Sequence, residues 1–252
     1  MSTEALRFAA TLKEAEAPSR PLGEEASVDG LRSKGATGAG IRDVASWLLR
    51  VVRACDTVVA NKRINAVTRI SQARLLAVAI HLRDDLKPSQ LQTLLARWEK
   101  VSFRIYGMLG HDARTRVGEY VRLAWQVVNE EPPPSAIDAA VGEIGDEFPI
   151  VDAANARRNA NCYDGWESEL RYFMYRYEEY LAQTQKQNFR NEQWEVVVSG
   201  TGRAALAAGF DGLRVPSKPD PGGVNLVIFR KSSRGPVITL VNADALEVLG
   251  KD

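Results

Sequence analysis

Between residues 41 and 186, apolar side chains recur at steps of three and four, and no stretch alternates with period two. Such spacing gathers apolar groups on one face of a helix, whereas a half-buried strand needs every second residue apolar. This part of the chain is therefore confined to helix-on-helix packing. Ile41, Val44, Leu48, Val52, Cys55 and Val59 form the first stripe, expected to be buried. Ser71 precedes a second apolar run, Ala73–Leu82. Pro88–Ser89, with Gln92 three residues after the serine, has the form of a capping box and opens a helix to about Met108. Asp112 is placed to cap a fourth helix running to about Asn129. Pro132–Pro134 imposes an extended break, after which Ser135 with Asp138 restarts a short helix. A long helix follows Cys162, with Trp166, Leu170, Phe173, Tyr177 and Leu181 on its expected core face. Glu167 and Arg171 lie four apart on its side, where they pair weakly.

The two ends have a different character. Residues 1–40 are rich in Ala, Glu and Gly and read as a poorly ordered leader, with one short helix near Thr3–Glu16. Beyond residue 194, Glu195–Ser199, Val224–Phe229 and Val237–Val241 are β-rich, with short helices expected at Arg203–Ala208 and Ala243–Leu249. The fold class expected is mainly α: a leader over 1–40, a multi-helix domain over 41–194, and a small α+β appendage over 195–252. No repeat of solenoid period is present.

Composition removes several classes. A chain of 252 residues is long enough for a sizeable core. A net charge of +1 gives no global pull towards nucleic acid or anionic membrane, so any such binding needs a local patch. Cys55 and Cys162 stand far apart outside any metal pattern and read as two reduced thiols. Leu6–Leu12 is too short and broken for a signal h-region, and no apolar run approaches the ~18 residues of a membrane span. The expectation is a cytoplasmic protein with no membrane partner.

Catalytic constellations are also missing. His81 and His111 are the only histidines, outside any HxxxH, HExxH or HNH-like arrangement, and no GxSxG elbow accompanies them. Val196–Val198 followed by Gly200-Thr201-Gly202-Arg203-Ala204-Ala205 has the local form of a dinucleotide fingerprint. Gly209 stops its helix early, and too little chain follows for a Rossmann half, so a structural turn is the plainer reading. No cofactor and no metal are expected.

Two clusters can carry binding. Arg97, Lys100, Arg104, Arg114, Arg116 and Arg122 face only Glu99, Asp112 and Glu119 in the same segment, a local net of +3. They are interleaved with Trp98, Phe103, Tyr106, Tyr120 and Trp125. Cations beside aromatics suit phosphate contact with base stacking, and equally suit amphipathic helices with buried rings. Five of the seven tyrosines lie between Tyr163 and Tyr180. There Tyr172 and Tyr175, with Arg171 and Arg176, are expected off the core face, either lining a pocket for a flipped base or stacking in helix packing.

A longer series of motifs runs through the helical part. It comprises Trp98-Glu99-Lys100, Phe103-Arg104-Ile105-Tyr106-Gly107, Asp112-Ala113-Arg114 and Val117-Gly118-Glu119-Tyr120-Val121-Arg122-Leu123-Ala124-Trp125. Cys162-Tyr163, Trp166-Glu167, Glu169-Leu170-Arg171-Tyr172-Phe173, Tyr175-Arg176-Tyr177-Glu178-Glu179 and Asn191-Glu192-Gln193-Trp194 follow. In order and spacing the series resembles the helical region of the GmrSD-type modification-dependent restriction endonucleases, over about residues 41–195. The resemblance implies an N-terminal ParB-like domain with an Asp-Gly-Gln-Gln-Arg motif, then helices, then an HNH-type nuclease domain with an Ile-Glu-His-Ile…Pro-Gln motif. Such enzymes restrict foreign DNA bearing modified bases.

This chain departs from that layout at both ends. Val28-Asp29-Gly30-Leu31-Arg32 keeps only part of the first motif, and Trp194 is followed by Glu195-Val196-Val197-Val198-Ser199-Gly200, with no later histidine. An HNH site needs histidine as base and metal ligand, so no catalytic residue carries over. The tail, Gly209-Phe210-Asp211-Gly212 and Gly223–Phe229, is similar to the last strands of RES-type or ADP-ribosylating toxin domains. The function expected is a truncated or split member of a GmrSD-like defence system. Its helical domain scaffolds a nuclease subunit or domain supplied elsewhere, or contacts DNA through Lys100, Arg104, Arg114, Arg116, Arg122, Arg171 and Arg176. The alternatives are a protein-interaction module or non-functional remnant, and a tail with a nucleotide-binding or ADP-ribosyltransferase-like role.

Overall fold

The computed structural model describes residues 2–158, 167–185, 212–216, 224–232 and 235–242, and the chain divides into two units, Met1–Glu169 and Leu170–Asp252. The first unit runs α1 (Thr3–Thr11), α2 (Glu24–Lys34), α3 (Gly38–Ala60), α4 (Lys62–Val67), α5 (Ser71–His81) and α6 (Pro88–Ser102). A π-helical turn, Phe103–Met108, then leads to α7 (Val117–Asn129), α8 (Pro134–Asp146) and α9 (Ile150–Arg158). The architecture is mainly helical.

Helix α5 is apolar at Ala73 and throughout Leu75–Ile80, and that makes it the centre. Ala73, Leu75, Leu76, Ala77, Ala79 and Ile80 are fully buried, because α3, α6 and α7 pack around them. Full burial of each Leu or Ile side chain contributes ~1.5–3 kcal/mol. Helix α8 packs on α6, and α9 on the π turn. Indole donors fasten the layers: Trp98 Nε1 donates to the Ala73 carbonyl at 2.8 Å, tying α6 to α5.

Residues 1–40 are not a poorly ordered leader. Ala5, Phe8, Ala9, Ala10 and Leu12 are at most 2% exposed, and α1 packs on α2 and α3. Ser2 caps α1 by accepting from the Glu4 N–H. Thr11 Oγ1 accepts from the Leu22 N–H and donates to the Arg7 carbonyl, while Arg7 Nε donates to the Leu22 carbonyl, which closes the Pro-containing loop. Later helices then pin it: Trp47 Nε1 donates to the Ala9 carbonyl, Trp125 Nε1 to Glu14, and Asn129 Nδ2 to Leu12. Composition suggested disorder because these partners lie up to 117 residues away.

Other expectations shift in detail. The buried face of α3 is Trp47, Val51, Ala54, Cys55 and Val58; Ile41 and Val59 are 59% and 50% exposed. The stripe is rotated because Trp47, with its bond to α1, belongs to the core. Helix α6 starts at Pro88, and it is Gln90 Oε1 that accepts from the Lys87 N–H, in place of the Ser89–Gln92 box. Asp112 accepts from Arg114 N in a local turn and does not cap α7, whose N-cap is Arg116 in the left-handed region at φ 55°.

The second unit contains α10 (Glu167–Gln185) and an antiparallel sheet in the order β1 (Gly212–Pro216), β2 (Val224–Ser232), β3 (Gly235–Asn242). Val215 pairs with Asn225, and Phe229 with Ile238. On α10 the burial is the reverse of the expected face: Tyr172 and Tyr175 are 3% and 4% exposed, whereas Phe173 and Tyr177 are 41% and 40% exposed. The expected strand at 195–199, the glycine fingerprint at 200–205 and the helices at 203–208 and 243–249 lie outside the described residues.

Candidate nucleic-acid interface

The basic residues between Arg97 and Arg122 are presented by α6, the π turn and α7, and α8 runs beside them. Lys100 is exposed in the last turn of α6. Arg104 is half-buried in the π turn and donates from Nη2 to the Gly145 carbonyl at 3.1 Å. Glycine at 142 and 145 makes this possible. A Cβ on Gly142 would stand 2.5 Å from the Arg97 guanidinium, and one on Gly145 would collide with that of Arg104. The two guanidinium groups thus lie close against the backbone of α8 at its glycines.

Arg114 is exposed and held by Asp112 at 2.6 Å, and that hydrogen bond keeps the Asp112 carboxyl below the usual carboxylate range. Arg116 is the most constrained. Nη1 meets Glu119 at 2.9 Å, Nη2 meets Glu147 at 2.5 Å, and the guanidinium lies 5.8 Å from the Phe148 ring centroid. Burial pushes the Glu119 carboxyl up, but hydrogen bonds from Arg116 and from its own backbone outweigh this and hold it low. Arg122 is exposed above Gly118 and lines a groove of about 340 Å³ with Glu119, Gln126, Glu143 and Ile144.

Three-dimensional neighbours therefore change the charge balance read along the chain. Helix α8 and the residue after it supply Asp138, 4.0 Å from Arg97, and Glu147 on Arg116, with Glu143 in the groove. Among the described residues Lys100 and Arg122 make no ion pair. In the second unit, Arg176 pairs with Glu179, and the Arg171 side chain lies outside what is described.

The aromatic residues interleaved with these cations are mostly structural. Trp98, Phe103, Tyr106 and Tyr120 are buried. Tyr120 Oη lies 2.8 Å from Ser102 Oγ, and Tyr106 Oη donates to the Thr115 carbonyl at 2.8 Å. Burial raises both phenol pKa values, so both hydroxyls remain neutral. Comparison with family models, curated proteins and solved structures finds no match. Among the described residues no cluster of His, Cys, Asp and Glu could hold a metal ion, and no helix is long and apolar enough to cross a membrane. His111 is exposed, edge-on to Phe148 at 5.1 Å, whereas His81 is largely buried with Nε2 unpartnered.

Sequence reasoning missed Glu147, Phe148, Gly142 and Gly145. No local pattern marks them, since their roles arise only when α8 packs on α6.

Proposed function

We propose that the helical unit is the scaffold of a GmrSD-like DNA restriction system, as a truncated or split member whose cleavage chemistry comes from another domain or subunit. One observation carries this reading: the residues that bear the resemblance are those that fasten the helices to one another. Trp98 bonds to Ala73, Glu99 to Arg63, Tyr106 to Thr115, Tyr120 to Ser102 and Trp125 to Glu14. What the chain shares with the family on this reading is a framework. Of the appendage proposed over 195–252, the described residues are the strands β1–β3.

DNA contact, within this reading, runs through Lys100 and Arg122, the exposed cations of the series that no ion pair occupies among the described residues. The test is a mobility-shift titration of the full chain with glucosylated, hydroxymethylated and plain duplexes over a salt series. Salt-sensitive binding at micromolar protein is expected, and Lys100→Glu or Arg122→Glu lowers the slope of log K against log salt by about 1 each. Binding that ignores both substitutions removes the assigned contacts, and no binding to any duplex removes the DNA role.

A second reading, a protein-docking module without DNA affinity, has a specific observation in its favour. Arg97, Arg114 and Arg116 are engaged by Asp138, Asp112, Glu119 and Glu147, which leaves few cations for phosphate. Co-purification of a nuclease subunit with a chain that shifts no DNA is the outcome it predicts.

A further inference from the structure

Helix α3 is apolar on two adjoining faces. Trp47, Val51, Ala54 and Val58 pack inward on one, and Cys55, also buried, belongs to the other. Beside them runs Ile41, Ala45, Leu48, Val52, Cys55 and Val59, at alternating steps of four and three. That is a heptad seam, in which Ile41, Leu48 and Cys55 occupy one repeating position and Ala45, Val52 and Val59 the other. Ile41 is 59% exposed, Val59 50%, and Leu49 on the flank 50%. Leu48 and Val52 are half-buried. Within this helix of 23 residues the seam from Ile41 to Val59 runs over ~27 Å.

We propose that this seam joins two copies of the chain, their α3 helices packing antiparallel about a twofold axis. The register follows from the spacing. Opposing the two heptad positions sets Ile41 against the partner's Val59, Ala45 against the partner's Cys55, and Leu48 against the partner's Val52. The twofold axis generates each layer twice, so the six seam positions of both helices are used. The layer of Ala45 with Cys55 carries the smallest side chains of the seam, Ala45 being exposed and Cys55 9% exposed.

Charge selects the direction. The solvent-side flanking positions are Arg42, Leu49 and Asp56, and the core-side ones are Val44, Val51 and Val58. Antiparallel packing opposes like flanks. It sets Arg42 against the partner's Asp56 at both ends, and the two Leu49 side chains against each other on the axis. Parallel packing opposes unlike flanks and gives Asp56 only the buried Val51. Arg42 and Asp56 are exposed and make no ion pair within the chain among the described residues.

Sedimentation velocity on the full chain, over a concentration series in reductant, reads the association. A concentration-dependent dimer is expected. Arg42→Asp or Asp56→Arg alone weakens it roughly tenfold through two lost pairs and new repulsion, and the double exchange restores it. All these positions are exposed, so the circular dichroism of each variant stays that of the parent. In a Cys162→Ser background, Leu49→Cys forms a disulfide-linked dimer on mild oxidation and Ile41→Cys does not. A monomer at every concentration overturns the proposal. So does a dimer indifferent to these substitutions, a charge exchange that fails to restore association, or cross-linking through Ile41→Cys in place of Leu49→Cys.

Discussion

A carboxylate buried among helices stays charged only if a cation follows it in. Glu99 is 3% exposed and accepts from Arg63 Nε and Nη2 at 2.7–3.0 Å. Arg63→Ala removes this bidentate partner of a buried carboxylate and is expected to cost ~3–5 kcal/mol in urea unfolding. An apolar pair, Arg63→Met with Glu99→Leu, costs much less, because neither charge is then desolvated. His81 gives a pH signature. Burial holds its imidazole below the ordinary 6.5, so the folded protein keeps it neutral. As pH falls below 6.5 the unfolded chain gains a proton that the folded one refuses, and stability falls until the lowered folded value is passed. The melting temperature of the parent therefore declines on that descent more steeply than that of His81→Gln. At Cys55, burial pushes the thiol up to about 12, and alkylation mapped by mass spectrometry at pH 8 should leave it unmodified until the protein unfolds.

At the scale of elements, helix existence was legible and helix orientation was not. Steps of three and four mark where α3, α5, α6, α7 and α10 run, since that period is a property of the chain itself. Which flank of a broad apolar arc turns inward depends on neighbours. On α3 the Trp47 indole settles it by bonding to α1, and on α10 Tyr172 and Tyr175 are buried while Phe173 and Tyr177 are not. Caps were legible only as chemistry, because any of several polar residues near a helix start can serve. The π turn left no periodic trace. It arises where the Arg104 carbonyl accepts from the Leu109 N–H, five residues on, and the Phe103 ring lies across Gly107. A Cβ at 107 would stand 2.5 Å from that ring, so Gly107→Ala is expected to destabilise by ~1–3 kcal/mol in chemical denaturation, with Phe103→Leu relieving part of it.

For the molecule as a whole, the candidate site was half legible. The cations of 97–122 are visible in the sequence, but their partners on and after α8 are distant along the chain, and a window count of charge cannot include them. The N-terminal region was misjudged for the same reason, since its order rests on donors from α3 and α7. A chain lacking residues 1–40 is expected to bare the faces that meet Phe8 and Leu12, to bind a hydrophobic dye in native buffer and to lose a sharp melting transition.

The indole of Trp125 and the amide of Asn129 reach carbonyls 111 and 117 residues behind them. On the ribosome, the first helix therefore waits for its last fasteners. At ~5–20 residues per second the delay is roughly 6–23 s, during which α1 has α2 and α3 beside it but not the donors of α7. Helix α1 is thus made well before the residues that finally secure it. Slow synthesis of the middle of the chain lengthens the time in which chaperones, or a neighbouring nascent copy, can reach it.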